Sequence, residues 1–311
     1  MIYRSIYVGQ ESAKIVLSNS ESWVILSPLE AKLKAKIEAR GKKLSNWDIN
    51  IYRGILTGYN DAFIISTEKR DELIAADPKS AEIIRPILRG RDIHRYGYDF
   101  ANLWLLFVPW HFPLQDDESI TGASDKAETE FALRYPAVYN HLLQHKGKLE
   151  QRNKAETGKR YEWYALQRWG AKYWNDFSVQ KIMYNDISQK LSFALVPENV
   201  FCVNTVYFIK DNPKLLYLLG CLNAKITDWY YRTLSVQLGE KAVRMFSIYV
   251  ERLPIPILPK EKEQEIVSLV IKLLNTSERI DDSNHISAQI DKIIYGAFNL
   301  NDEEIELIEA H

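Results

Sequence analysis

No helix interior and no central strand can run through Leu253-Pro-Ile-Pro-Ile-Leu-Pro259. Each proline removes a backbone N–H and fixes φ near −65°, so the segment reads as a stiff, extended connector. It splits the chain unequally. Before it lie short apolar runs separated by turn residues; after it, helical spacing continues to the end. Ile266, Leu269, Val270, Leu273 and Leu274 mark one amphipathic helix, and Ile286, Ile290, Ile293 and Ile294 a second. Asn301 with Glu304 caps a last short one.

Upstream, Ser27-Pro-Leu-Glu30 has the form of a capping box with proline at the first helical position. Leu29, Leu33 and Ile37 follow at helical spacing and Gly41 supplies a stop, which predicts a helix over 28–40 with a basic outer side. Trp23-Val-Ile-Leu26 before it reads as extended. Asn50 to Gly54 leads to a turn at Thr57-Gly58, then to Ala62-Phe-Ile-Ile65 as a buried strand. Arg70 to Ala76 is a short helix broken by Asp77-Pro78, and Leu103 to Val108 a strand. Asp116 to Ala127 is polar and poor in large apolar groups, hence a mobile loop. Lys181–Tyr184 and Val206–Ile209 are strands, and Leu215 to Tyr231 a helix with Leu216, Leu219, Ile226 and Trp229 on its apolar side. The fold expected is α+β, a globule with a central mixed sheet and a helical C-terminal tail. Its units are an N-terminal arm and helix (1–44), a middle globule (45–257) and the tail (258–311).

A hydrophobic fraction of 46% and a charged fraction of 26% are those of a folded globular chain. No apolar run approaches the roughly 20 residues of a membrane span, and Met1-Ile-Tyr-Arg-Ser lacks the pattern of a secretory signal. Cys202 and Cys221 sit in apolar runs and read as buried free thiols, not as a disulfide or zinc site. A cytoplasmic protein without membrane contact is expected. The net charge of −1 excludes a generic polyanion binder. Yet between Lys146 and Lys172 eight basic residues face only Glu150, Glu156 and Glu162, while acids dominate from Glu261 onward. Segregated charge of this kind suits one face to an anionic partner.

Several chemistries lack their residues. A methyltransferase acting on adenine N6 needs an Asn/Asp-Pro-Pro-aromatic loop, and the only Asn-Pro is Asn212-Pro213-Lys214. No glycine-rich strand-to-helix turn offers a nucleotide cradle. Glu30-Ala-Lys32 has part of a metal-dependent nuclease spacing, but Glu30 belongs to the capping box. The six histidines show no pairing suited to zinc or a catalytic triad, and read as surface or structural groups.

Trp47-Asp-Ile-Asn-Ile-Tyr-Arg-Gly54, Thr57-Gly-Tyr-Asn-Asp-Ala-Phe-Ile64, Asp77-Pro-Lys-Ser-Ala-Glu-Ile-Ile84 and Leu88-Arg-Gly-Arg-Asp-Ile93 resemble the TaqI-like C-terminal specificity domain. Glu162-Trp-Tyr-Ala-Leu166, Lys181-Ile182, Leu222-Asn-Ala224, Leu253-Pro-Ile-Pro256 and the terminal helices fit as well. In that family the domain follows an N6-adenine methyltransferase, and in single-chain type IIG enzymes a nuclease precedes both. The resemblance implies a target-recognition globule that reads double-stranded DNA from the major groove and packs against a methyltransferase domain or subunit. S-adenosylmethionine and magnesium then belong to those catalytic partners, with no cofactor expected in this chain. The proline connector and the helix after it also resemble the boundary before the spacer helices of type I specificity subunits. The expected function is therefore non-catalytic DNA recognition in a restriction–modification system, by a fragment or by a separate specificity chain. An assembly subunit acting through protein contacts and a divergent endonuclease are the alternatives.

Within this reading, Gly54, Gly58 and Asn60 are turn formers. Arg89, Arg91 and Arg95 either clamp phosphates or pair internally with Asp92. The strongest candidates are Arg152, Lys154, Lys159, Arg160, Gln167, Arg168 and Lys172, interleaved with Tyr161, Trp163, Tyr164 and Trp169, types that suit groove readers unless the rings are core. Lys241 and Arg244, near Gln237, form a smaller second candidate.

Overall fold

The computed structural model describes residues 26–210, 212–234, 237–238, 242–275 and 280–310. Its centre is a four-stranded sheet in the order Asn50–Arg53, Val206–Lys210, Lys181–Asn185, Phe193–Val196, with every neighbour antiparallel. Strand alternation sends Ile182, Tyr184, Phe193, Tyr207 and Ile209 into one core and Met183, Ala194, Val196, Val206 and Phe208 into another. Both faces are covered, which is why Ile182–Tyr184 and Val206–Ile209 read as unbroken apolar runs in the sequence.

Helices pack on the first face: Pro28–Arg40, Leu215–Leu222, Lys225–Arg232, Lys260–Asn275, Ile280–Phe298 and Asp302–Glu309. The C-terminal helices thus share one core with the N-terminal helix, and Lys36 pairs with the buried Glu304 at 2.6 Å. On the second face lies another four-stranded sheet, Ile64–Ser66, Leu103–Leu106, Ile84–Leu88, Phe201–Cys202, whose last pair is parallel. Helices Thr67–Ala76, Asp125–Arg134 and Pro136–Leu143 add to that core. The fold is α+β, with the mixed pairing in this second sheet.

Local chemistry explains the helix starts. Ser27 N–H donates to Glu30 Oε2 at 2.6 Å and Glu30 N–H to Ser27 Oγ at 3.3 Å; Asn301 and Glu304 reciprocate at 2.9 Å each. Cys202 and Cys221 are buried and free. No helix among the described residues is long and apolar enough to cross a membrane.

Four local expectations change. Ala62 and Phe63 belong to a helical turn, Asn60–Phe63, and the strand begins only at Ile64. Short buried apolar runs carry no periodicity to separate the two states. The helix expected over 215–231 is two helices that part at Asn223. The Asn223 side chain instead completes the edge of a strand, accepting from Phe193 N–H at 3.0 Å and donating to Phe193 O at 2.8 Å. Pro254–Pro256 is extended as expected, but it is buried and pairs antiparallel with Gly41–Lys43. The far end of the supposed mobile loop is tied down. Ser124 caps helix Asp125–Arg134, and its N–H donates to the buried Glu162 at 3.0 Å. Glu162 also accepts from His111 N–H at 2.8 Å.

Candidate nucleic-acid interface

The basic stretch 146–172 splits into an inward and an outward half. Tyr161, Trp163 and Tyr164 are buried in the second core, so these rings are not groove readers. Their polar ends find internal partners: Tyr164 OH donates to Phe112 O at 2.9 Å, and Trp163 Nε1 to Glu128 Oε1 at 2.8 Å. Arg152 also points inward. Its Nη1 donates to Thr57 O at 2.5 Å, and its Nη2 to Trp163 O at 2.9 Å and to Ala165 O. Burial pushes the guanidinium pKa down to about 10. Arg152 therefore closes the loop on itself and leaves the candidate surface.

The same loop is locked to the residues 57–64 that look like the family motif. Leu56 and Arg168 exchange backbone hydrogen bonds at 3.0 and 2.9 Å. Gly58 has φ +79°, a left-handed turn open to glycine, and half-buried Gln167 closes over it. Gly54 serves close approach instead: a Cβ there would lie 2.2 Å from Val203 O. Asn60 heads the helical turn and accepts from Thr57 Oγ1 at 2.6 Å.

Outward lie Lys154, Lys159, Arg160, Arg168 and Lys172, all exposed. Glu156 gathers the two arginines. Its carboxylate accepts from Arg168 Nη1 at 2.9 Å and from Arg160 Nη1 at 3.1 Å, and Arg168, hydrogen-bonded to it, holds its pKa below the usual range. Lys154, Lys159 and Lys172 have no side-chain partner among the described residues and present free ammonium groups. Cations held on a rigid loop beside free ammonium groups can bind phosphate oxygens and base-edge acceptors.

The other candidates are spread elsewhere. Arg89 forks onto the buried Asp92, with Nε and Nη2 at 3.1 and 2.8 Å from its oxygens. Arg95 donates to Asn223 O at 2.5 Å, tying this segment to the first core. Only Arg91 of the three is exposed, and it has no side-chain partner among the described residues. Lys241 lies outside the described residues. Arg244 is exposed, with its guanidinium 5.5 Å from the Phe246 ring. It faces Asp186, whose pKa burial raises against the pull of Arg53 and Arg244.

Arg53 is a residue that the sequence reading missed. Its Nη2 lies 3.5 Å from Asp186 Oδ2, and its carbonyl accepts from Tyr173 OH at 2.8 Å, next to Lys172. It thus lies between Asp186 and Tyr173, the residue that follows the 146–172 loop. A lone arginine within an apparent fold signature carried no signal of this. Glu156 was equally hidden, counted only as an acid opposing the basic run.

The model of the TaqI-like C-terminal specificity domain matches residues 85–255. That span takes in Leu88–Ile93, Glu162–Leu166 and Leu253-Pro254, whereas Trp47–Ile64 precede it. The type II methyltransferase M.MjaIV of Methanocaldococcus jannaschii is 22% identical over 252 residues, which are 80% of this chain and 78% of the relative. Among solved structures, the type IIL restriction-modification enzyme MmeI, in complex with DNA, has a similar fold. The TM-score is 0.53 at 14% identity, over 83% of this chain and 34% of MmeI. The type IIG restriction endonuclease BpuSI gives 0.48 at 11% identity, over 86% of this chain and 33% of BpuSI. The chain spans about a third of the length of either enzyme. With the family model matched over more than half of its 311 residues, the chain belongs to the TaqI-like C-terminal specificity domain family.

Proposed function

We propose that this chain recognises a specific sequence in duplex DNA and presents it to an N6-adenine methyltransferase, on a separate domain or subunit, within a restriction–modification system that also includes a nuclease. The observation that carries the reading is the pair of exposed arginines, Arg160 and Arg168, gathered by half-buried Glu156 and flanked by Lys154, Lys159 and Lys172, on a loop pinned at Leu56–Gly58. Phosphate contacts from the lysines position the duplex, and arginine forks read base edges. Recognition is this chain's part. S-adenosylmethionine and magnesium serve the partners, and residues 1–44 form the junction to the methyltransferase.

Fluorescence anisotropy with a random duplex tests the binding surface. Counterion release makes affinity fall steeply with salt, so unchanged binding from low to moderate salt would refute a phosphate-facing surface. Selection from a randomised duplex library should enrich one motif. A second reading, that the chain itself methylates, draws on the name of the M.MjaIV relative, of which it covers 78%. Labelled S-adenosylmethionine with pure chain and duplex DNA separates the two, and we expect no transfer.

A further inference from the structure

This inference rests on the DNA-recognition reading and concerns one carboxylate inside it. An acid at the centre of a phosphate-binding surface weakens binding, so its presence requires a reason. Glu156 accepts from Arg168 Nη1 and Nη2 at 2.9 and 3.2 Å, from Arg160 Nη1 at 3.1 Å and from Asn153 Nδ2 at 2.7 Å. Arg168 commits both terminal nitrogens to the carboxylate, and Nη1 also donates to Gln167 O at 2.8 Å. Arg160 commits one. Its Nε and Nη2 have no partner among the described residues, and its guanidinium lies 4.8 Å from the centre of the Trp110 ring. Trp110 is itself fixed: Nε1 donates to Leu166 O at 2.7 Å, and the ring stacks on buried Tyr161 at 4.8 Å and 12°. Arg160 has thus lost the rotamer freedom of a long exposed side chain while keeping the donors that a base edge uses. The two arginines and Glu156 together carry one net positive charge.

We propose that Glu156 is the positioning residue of the base-reading fork. It holds Arg160 against Trp110, with Nε and Nη2 unspent for the O6 and N7 acceptors of a guanine. One unit of phosphate attraction is given up for that orientation.

The test compares the full chain with E156Q, which keeps the shape and removes the charge. Library selection with sequencing reads the base preference. Anisotropy on a random duplex across a salt series reads non-specific binding. Non-specific affinity should rise and its log–log salt slope steepen by about 0.9, one more phosphate's worth. Preference for a guanine within the enriched motif should fall roughly tenfold or more. Opposite signs are the expected signature. A fall in both with a lowered Tm makes Glu156 merely structural, a rise in both makes it merely inhibitory, and an unchanged guanine preference shows that Glu156 does not position the reading arginine. Each of these overturns the proposal. R160K keeps the charge but loses the fork, so it should leave the salt slope intact and lower the same preference, and an unchanged preference in R160K overturns the proposal even if E156Q does not fold. A wild-type chain that enriches no motif overturns the functional reading itself, whereas a motif retained by both variants overturns this inference alone.

Discussion

Arg152 separates a structural arginine from a DNA-facing one within the same basic run, and R152M puts that distinction to measurement. Methionine keeps an unbranched apolar side chain and removes every donor. Its loss leaves the carbonyls of Thr57, Trp163 and Ala165 without their guanidinium partner, and Thr57 and Ala165 are buried. Each unsatisfied buried acceptor costs about 1–3 kcal/mol. Part of that is offset because a desolvated cation disappears, including an Nε that is buried without a partner. A net destabilisation on the order of 3 kcal/mol remains. For a chain of 311 residues, with an unfolding entropy of about 2.1 cal/mol/K per residue, that lowers Tm by roughly 5 °C. Circular dichroism melts of wild type and R152M measure the shift, and anisotropy well below both transitions measures binding to random duplex. Because the guanidinium faces carbonyls, the salt slope should stay unchanged wherever the variant is folded. An unaltered Tm together with a shallower salt slope would refute the structural assignment and return Arg152 to the DNA surface.

Two further outcomes follow from the cores. Lys181 is wholly buried, and its Nζ donates to Phe177 O and Val179 O at 2.9 Å and to Pro197 O at 3.1 Å, while burial lowers its pKa from 10.5 to about 8. Between those values the unfolded chain holds a proton that the folded one has released, so this group's contribution to stability rises with pH. Urea melts of wild type and K181M should show their stability difference growing in favour of wild type by roughly 2 kcal/mol from pH 7 to 9.5; a flat difference would show that the folded lysine is not desolvated. At Gly54 a Cβ would fall 2.2 and 2.4 Å from the carbonyl oxygens of Val203 and Cys202, rigid backbone that cannot step aside. G54A should therefore lose about 3 kcal/mol or more in the same melts, and full stability would mean that the two segments lie further apart than here.

Features that depend on near neighbours along the chain were legible without coordinates. The capping boxes at Ser27/Glu30 and Asn301/Glu304 stand where they were read, because capping joins residues three apart. The terminal helices followed from their apolar spacing, and strands 181–185 and 206–210 from their continuous apolar runs. The motif at 88–93 lies inside the matched family span. Tertiary structure decided wherever the deciding partner was remote. Asn223 ends a helix because its amide completes Phe193, and the prolines at 254 and 256 find a ladder in Gly41–Lys43. Arg152 and Arg160 stand eight residues apart in one basic run with the same chemistry. One faces three carbonyls, and the other leans on Trp110 beside Glu156. A guanidinium goes where unpaired acceptors are, and which acceptors a loop leaves unpaired is settled only once the distant segments beneath it have packed.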